Sequence, residues 1–244
     1  MAVSFARRLA LAFQRKPGHA PGPSLGLLLQ EATALPALIP GLKRSPPVTK
    51  ASRPSTVMVV PGFLAEASMM FPLIQGLSAA GHDVHEWGMG TNLGPTAETL
   101  ATLAARIEAM VDRAGKPVAL VGWSLGGLVS REVARVTRPG SVRLVITMGT
   151  PFSGDRRANN AWRLFQLVAG HDVDFPPVAG DLAEKPAVRT VALWSSMDGI
   201  VAPEAARGRP GERDDAVELS CRHMAFPSDA GAILEVLRQI DSED

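Results

Sequence analysis

The stretch Gly122-Trp123-Ser124-Leu125-Gly126 is where this sequence most clearly could do chemistry. It fits Gly-x-Ser-x-Gly. An apolar run, Pro117 to Val121, precedes it, and a helical pattern reaching about Val136 follows. Between a strand and a helix, such a turn holds its serine in a strained backbone conformation and exposes the hydroxyl. Small residues two positions either side let the chain close that tightly. The hydroxyl then projects at a helix N-terminus, where the dipole favours developing negative charge. Ser124 is therefore read as a nucleophile, the plainer alternative being a tight-packing turn. No H-E-x-x-H, Walker lysine loop or G-x-G-x-x-G redirects the chemistry, so neither metal nor cofactor is expected.

The elements around the motif must position it. Thr56 to Val60 is a continuous β-branched and apolar run ended by Pro61-Gly62, as suits a strand buried on both faces. Phe71 to Ala80 reads as a helix stopped by Gly81, and Asp83 to Trp87 as a short strand. Thr96 to Ala114 carries Leu100, Leu103, Ile107 and Val111 on one helical stripe. Val142 to Met148, Val191 to Ser195 and a weaker Ala216 to Leu219 are further strands, and Phe226 to Ile240 is the closing helix. Strands alternating with helices imply parallel βαβ units in a doubly wound sheet. Ligands in such sheets sit beyond the carboxyl ends of the strands.

Composition narrows the field. With 46% hydrophobic and 20% charged residues, 244 residues can bury a real core, which excludes a disordered chain. A net charge of +1 gives no basic field for nucleic acid, and with no Tyr there is little to stack bases on. The single cysteine excludes a disulfide framework and a Cys-rich zinc site; Cys221 is read as a buried structural thiol. No apolar run is long enough to span a membrane.

Residues 56–240 resemble an α/β-hydrolase of the compact bacterial esterase and lipase kind. Beyond Ser124, the resemblance rests on Val60-Pro61-Gly62-Phe63, on Gly149-Thr150-Pro151-Phe152, and on a downstream Asp and His in the right order. It implies a Ser, Asp, His triad in that chain order. His19 lies upstream of the sheet, His82 and His85 precede the nucleophile, and His171 falls in an insertion. That leaves His223, before the last helix, as general base. Asp198, in Ser196-Met197-Asp198-Gly199, follows a strand where the family carries its acid. Asp172, Asp174, Asp181, Asp214 and Asp215 are competitors. The plainer role for Asp198 is a turn residue bonding its own backbone. The oxyanion hole falls to the backbone N–H groups of Phe63 and Leu125. Many relatives have His-Gly where Pro61-Gly62 stands, which spares the Phe63 donor. The implied activity is cleavage of small-molecule carboxylic esters through an acyl-enzyme, carboxylesterase or lipase-like. An acyltransferase with the same triad and a non-catalytic binding protein of the same fold are the alternatives.

Residues 151–186 are too long for a bare connection and are read as a small helical lid, with a helix over Ala161 to Val168. Leu64, Met69, Trp123, Phe152, Trp162 and Phe165 are candidates for an apolar substrate wall, with core packing the competing reading. Residues 1–55 form a basic helical arm and connector before the hydrolase domain, 56–244. The arm carries eight Lys and Arg against one acid, Glu31. Phe5, Leu9 and Phe13 share a helical face, and Ser24 could cap a helix to about Leu35. The arm is read either as a weak membrane-surface contact or as a helix packed on the domain. The apolar run of the arm is too short for a signal peptide, so a cytoplasmic or peripheral-membrane location is expected.

Overall fold

A computed structural model describes residues 4–15, 21–39, 41–174 and 180–242. His19 and part of the 151–186 insertion lie outside them. Six strands, β1 (Thr56–Val60), β2 (Asp83–Glu86), β3 (Val118–Trp123), β4 (Val142–Met148), β5 (Arg189–Trp194) and β6 (Asp215–Glu218), form one sheet in the order β2-β1-β3-β4-β5-β6. All five pairings are parallel. The order reverses direction after β2 returns beside β1, which makes the sheet doubly wound.

Alternation along the strands feeds two cores. Val57 and Val59 of β1 face one side with Val121, Ile146 and Leu193. Met58 and Val60 face the other with Leu120 and Val145. Helices α3 (Phe71–Ala80) and α8 (Ala230–Asp241) cover the first side. Helices α4 (Ala97–Ala114) and α5 (Leu125–Val136) cover the second. The edge strands β2 and β6 are not fully buried on either face, as their mixed sequences require.

The remaining helices are α1 (Phe5–Ala12), α2 (Leu25–Gln30), α6 (Trp162–Ala169) and α7 (Pro203–Arg207). Three helices of the fold, α2, α7 and α8, differ from expectation. The helix read from Ser24 to Leu35 ends at Gln30 and continues as two 3-10 turns, Glu31–Thr33 and Leu35–Leu38, the second carrying Pro36 in its first turn. The closing helix starts at Ala230 instead of Phe226, because Asp229 accepts the Ala232 N–H and caps it there. Helix α7 was not expected; five residues are too few to show periodicity.

The arm lies on the domain. Helix α1 packs along α6, and Arg8 donates to the carbonyls of Leu167 and Val168 at the C-terminal end of α6. The Gln166 amide reaches the Leu11 carbonyl at 2.6 Å.

Candidate active site

Ser124 stands between β3 and α5 with φ 53° and ψ −122°, a conformation a non-glycine residue adopts only under constraint. The constraint is visible in its neighbours. A Cβ on Gly122 would come within 2.4 Å of the Gly126 carbonyl oxygen, and one on Gly126 within 2.2 Å of the Val60 carbonyl oxygen. Only glycine fits at either position. The Ser124 N–H bonds the Met148 carbonyl at 2.8 Å, and its own carbonyl accepts from the Thr150 hydroxyl at 2.8 Å.

Three side chains meet beyond the carboxyl ends of the strands. His223 Nε2 is 2.9 Å from Ser124 Oγ, and His223 Nδ1 is 2.7 Å from Asp198 Oδ2. The other oxygen, Asp198 Oδ1, accepts the N–H groups of Ile200 and Val201, each at 2.8 Å. One oxygen of Asp198 therefore bonds its own turn and the other bonds the histidine ring. Burial opposes a charge on His223, but the charge and hydrogen bond of Asp198, with a smaller push from Glu31, raise its pKa above the ordinary imidazole value. The ring can thus take a proton from the serine and keep it transiently.

The loop after β1 faces the elbow. A Cβ on Gly62 would lie 3.2 Å from the Trp123 ring and 3.3 Å from Ser124 Cβ, so the chain just before Phe63 passes close against the elbow. Among the described residues no group accepts from the Phe63 or Leu125 N–H. Two unengaged donors next to a serine hydroxyl can hold a developing oxyanion. Asn92, fully buried, fixes this loop. Its Nδ2 donates to the Pro61 carbonyl at 2.7 Å, and its carbonyl accepts the Leu64 N–H at 2.8 Å.

A cavity of about 860 Å³, counted out to its open mouth, includes Ser124 in its lining. Phe63, Leu125, Trp162 and Phe165 line it as well, with Leu128, Leu182, Ile200 and Val201. Leu64, Met69, Trp123 and Phe152 do not. Leu64 points to solvent; Met69 packs against the core under α3. Trp123 lies in the same core and donates its indole N–H to the His223 carbonyl at 3.1 Å. Phe152 is buried under the Arg131 guanidinium, 4.2 Å away.

The other candidates are occupied elsewhere. His171 lines the cavity, edge-on to Phe165, without touching Ser124. His85 pairs with Asp83, and His82 lies at the far end of the sheet. Asp172 and Asp174 pair with Arg157, Asp214 with Lys185 and Asp215 with Arg189. Asp181 caps its own loop at Ala183. Cys221 is buried, and desolvation pushes its thiol far above the usual range, which leaves it inert as a nucleophile. No group of His, Cys, Asp and Glu among the described residues could hold a metal ion.

Three contributors went unread in the sequence. Gly149 packs against the acid–histidine pair: a Cβ there would sit 3.0 Å from His223 Nδ1 and 3.1 Å from Asp198 Oδ2. Its place in Gly149-Thr150-Pro151, after a strand, was the available signal. Asn92 stands in Asn92-Leu93-Gly94-Pro95, whose residue types by themselves signal only a turn. Glu31 was noticed only as the lone acid of a basic arm.

The sequence matches the alpha/beta hydrolase family over residues 57–240. No curated protein matches it in sequence. Among solved structures, the mature Bacillus licheniformis lipase BlEst2 is similar at 16% identity and TM-score 0.56, covering 82% of this chain and 96% of its own. A soluble variant of the Saccharomyces cerevisiae monoglyceride lipase follows at 14% and 0.57, covering 82% and 88%. A Pyrococcus furiosus esterase stands at 13% and 0.55, covering 78% and 82%. At these identities the likeness concerns the fold.

Proposed function

The chain belongs to the alpha/beta hydrolase family, and on that premise we propose that it is a serine hydrolase cleaving carboxylic esters of apolar acids. The observation that carries this reading is the hydrogen-bonded line Ser124–His223–Asp198, at 2.9 and 2.7 Å, beside two unengaged N–H donors and an apolar cavity. Ser124 attacks the ester carbonyl while His223 takes its proton. Asp198 holds the ring in the tautomer that leaves Nε2 free to accept, and stabilises the imidazolium. The Phe63 and Leu125 N–H groups hold the oxyanion, each worth about 3 kcal/mol to the transition state. His223 returns its proton to the leaving alcohol, and the acyl-enzyme forms. Water, deprotonated by the same histidine, then releases the acid.

The aromatic and branched walls of the cavity favour an acyl chain or aromatic acid over a charged one. The test is turnover of p-nitrophenyl esters from two to twelve carbons by wild type and Ser124→Ala. The expected result is turnover with a chain-length optimum that falls by at least about 10⁴-fold in Ser124→Ala. Equal rates in the two proteins would sink the reading.

The arm supports a second element of the proposal, contact with anionic lipid surfaces. Phe5, Phe13, Leu25, Leu29 and Leu42 are exposed in a segment of strongly positive charge. Because α1 also packs on α6, deleting it would disturb the cavity; Phe5→Ser with Phe13→Ser is the cleaner probe. That pair should lose sedimentation with phosphatidylserine vesicles yet keep turnover of soluble esters. Undiminished sedimentation would remove the arm as the anchor.

A further inference from the structure

Glu31 is the one acid in residues 1–55, and only 4% of it is exposed. It makes no ion pair among the described residues. Its carboxylate is held instead by three backbone N–H groups. Oε1 accepts from Gly199 at 2.7 Å and from His223 at 3.0 Å; Oε2 accepts from Met224 at 2.9 Å. Gly199 follows Asp198, and Met224 follows His223. A single side chain therefore ties the turn that carries the acid to the loop that carries the base. A buried carboxylate is costly unless such donors compensate it.

Its neighbours follow the same course. The Leu27 carbonyl lies so close to Gly199 that a Cβ there would come within 2.4 Å of it. The Asn160 amide bridges the carbonyls of Pro23 and Gly199, at 3.1 and 2.8 Å. Arg222 donates to the Gln30 side chain at 2.7 Å. At the other end of the His223 peptide, the Trp123 indole holds the carbonyl. The histidine's main chain is thus gripped by the arm on one side and by the nucleophile's neighbour on the other.

We propose that Glu31 is a positioning residue for the reaction: its carboxylate sets the spacing between the Asp198 turn and the His223 loop, so the line from nucleophile to acid is complete only with the arm in place. This rests on the serine hydrolase reading above. Glu31 acts through backbone, and in addition its charge reaches the ring. The charged groups acting on His223 are Asp198 from its turn and Glu31 from the arm; Ser124, Trp123 and Phe226, which also face it, are neutral. Both carboxylates favour the imidazolium.

Glu31→Gln keeps the side-chain volume, removes the charge and turns one acceptor oxygen into a donor that faces an N–H. In the full chain it should lower kcat by about tenfold with KM nearly unchanged, since small displacements of reacting groups cost rate more than binding. Glu31→Ala, which leaves three N–H groups without an acceptor, should lower it by about 100-fold. Losing a charge that favours imidazolium should also move the acid limb of kcat/KM in Glu31→Gln to lower pH. An arm that serves stability alone would lower Tm and leave both readouts in place. Gly199→Ala is the second variant. It keeps Glu31 and all three reacting side chains, but its methyl must push the Leu27 carbonyl away, so kcat should fall there too. Rates are normalised to sites labelled by a fluorophosphonate. A wild type inert to both ester and label overturns the hydrolase reading and this inference with it. An active wild type with unchanged kcat and acid limb in folded Glu31→Gln overturns this inference alone. Where Glu31→Gln does not fold, wild-type kcat in Gly199→Ala does the same.

Discussion

Among the described residues, two histidines are buried to almost the same degree, His82 at 5% exposure and His223 at 2%, and their pKa values are shifted in opposite directions. Each has a carboxylate nearby. His82 lies just before β2, at the amino end of the sheet. Its Nδ1 accepts the Ser55 N–H at 3.2 Å, which uses the lone pair a proton would need. Its Nε2 stands 3.7 Å from Asp241, beyond hydrogen-bond reach, and Arg143 adds positive charge. Burial therefore wins, and the pKa falls below the ordinary value. His223 lies beyond the carboxyl end of the sheet, where Asp198 takes its Nδ1–H at 2.7 Å. There the carboxylates win and the pKa rises. Nearly equal exposure thus goes with a lowered pKa at one end of the sheet and a raised one at the other. The hydrogen-bond geometry decides between them.

The sharpest way to break that comparison is to remove each ring in turn. His223→Gln should lower kcat/KM by about 10⁵-fold, because nucleophile and base act as a unit. His82→Asn, which keeps an acceptor for the Ser55 N–H, should leave kcat/KM unchanged. Comparable losses in both would show that the site extends across the sheet. Asp198→Asn should cost about 10⁴-fold, as the amide favours the wrong tautomer of the ring. A loss below tenfold would assign the orienting role to another group.

The same contrast runs through what the sequence could show. β1, β3 and β4 were legible because strands buried on both faces must be apolar runs. The elbow was legible because its close approaches admit only glycine at 122 and 126. Asp198 and His223 were legible by their order along the chain, given the resemblance. Of the residues read as an apolar wall, Trp162 and Phe165 on α6 line the cavity. Trp123 looked like wall, but β3 runs through residue 123 and its alternation turns the indole into the core. Phe152 is drawn inward by Arg131, 21 positions away along the chain and outside any local pattern. Glu31 was out of reach altogether, because its partners are N–H groups nearly 170 and more residues away. Local pattern encodes elements; it does not encode which loop a connecting strap crosses.

A smaller effect tests the loop that serves His223's end of the sheet. Asn92→Ala removes the donor to the Pro61 carbonyl and frees the Phe63 N–H from its set position. It should lower kcat by about tenfold at nearly constant KM, as a weakened oxyanion donor would. A rise in KM with kcat unchanged would instead assign Asn92 to substrate binding.

The smallest effect is the most direct on the two rings. For His82 the folded pKa is lowered, so on acidification the unfolded chain takes up a proton before the folded chain does. Its contribution to stability is present above the ordinary imidazole pKa of about 6.5, and is lost as pH falls from there toward the folded value. For His223 the folded pKa is raised, so its contribution is full below about 6.5 and is lost as pH rises through the folded value. Activity follows the second ring only: the base must be neutral, and kcat/KM should fall as pH drops through its raised pKa. His82→Asn should therefore flatten the acid decline of Tm between about pH 7 and 5 while leaving the kcat/KM profile where it was. Tm and kcat/KM measured on the same samples across that range decide the matter. An unchanged Tm slope in His82→Asn would mean that His82 titrates alike in the folded and unfolded chains, whereas a steeper acid decline would mean that Asp241 holds it protonated and that the two ends of the sheet are electrostatically alike.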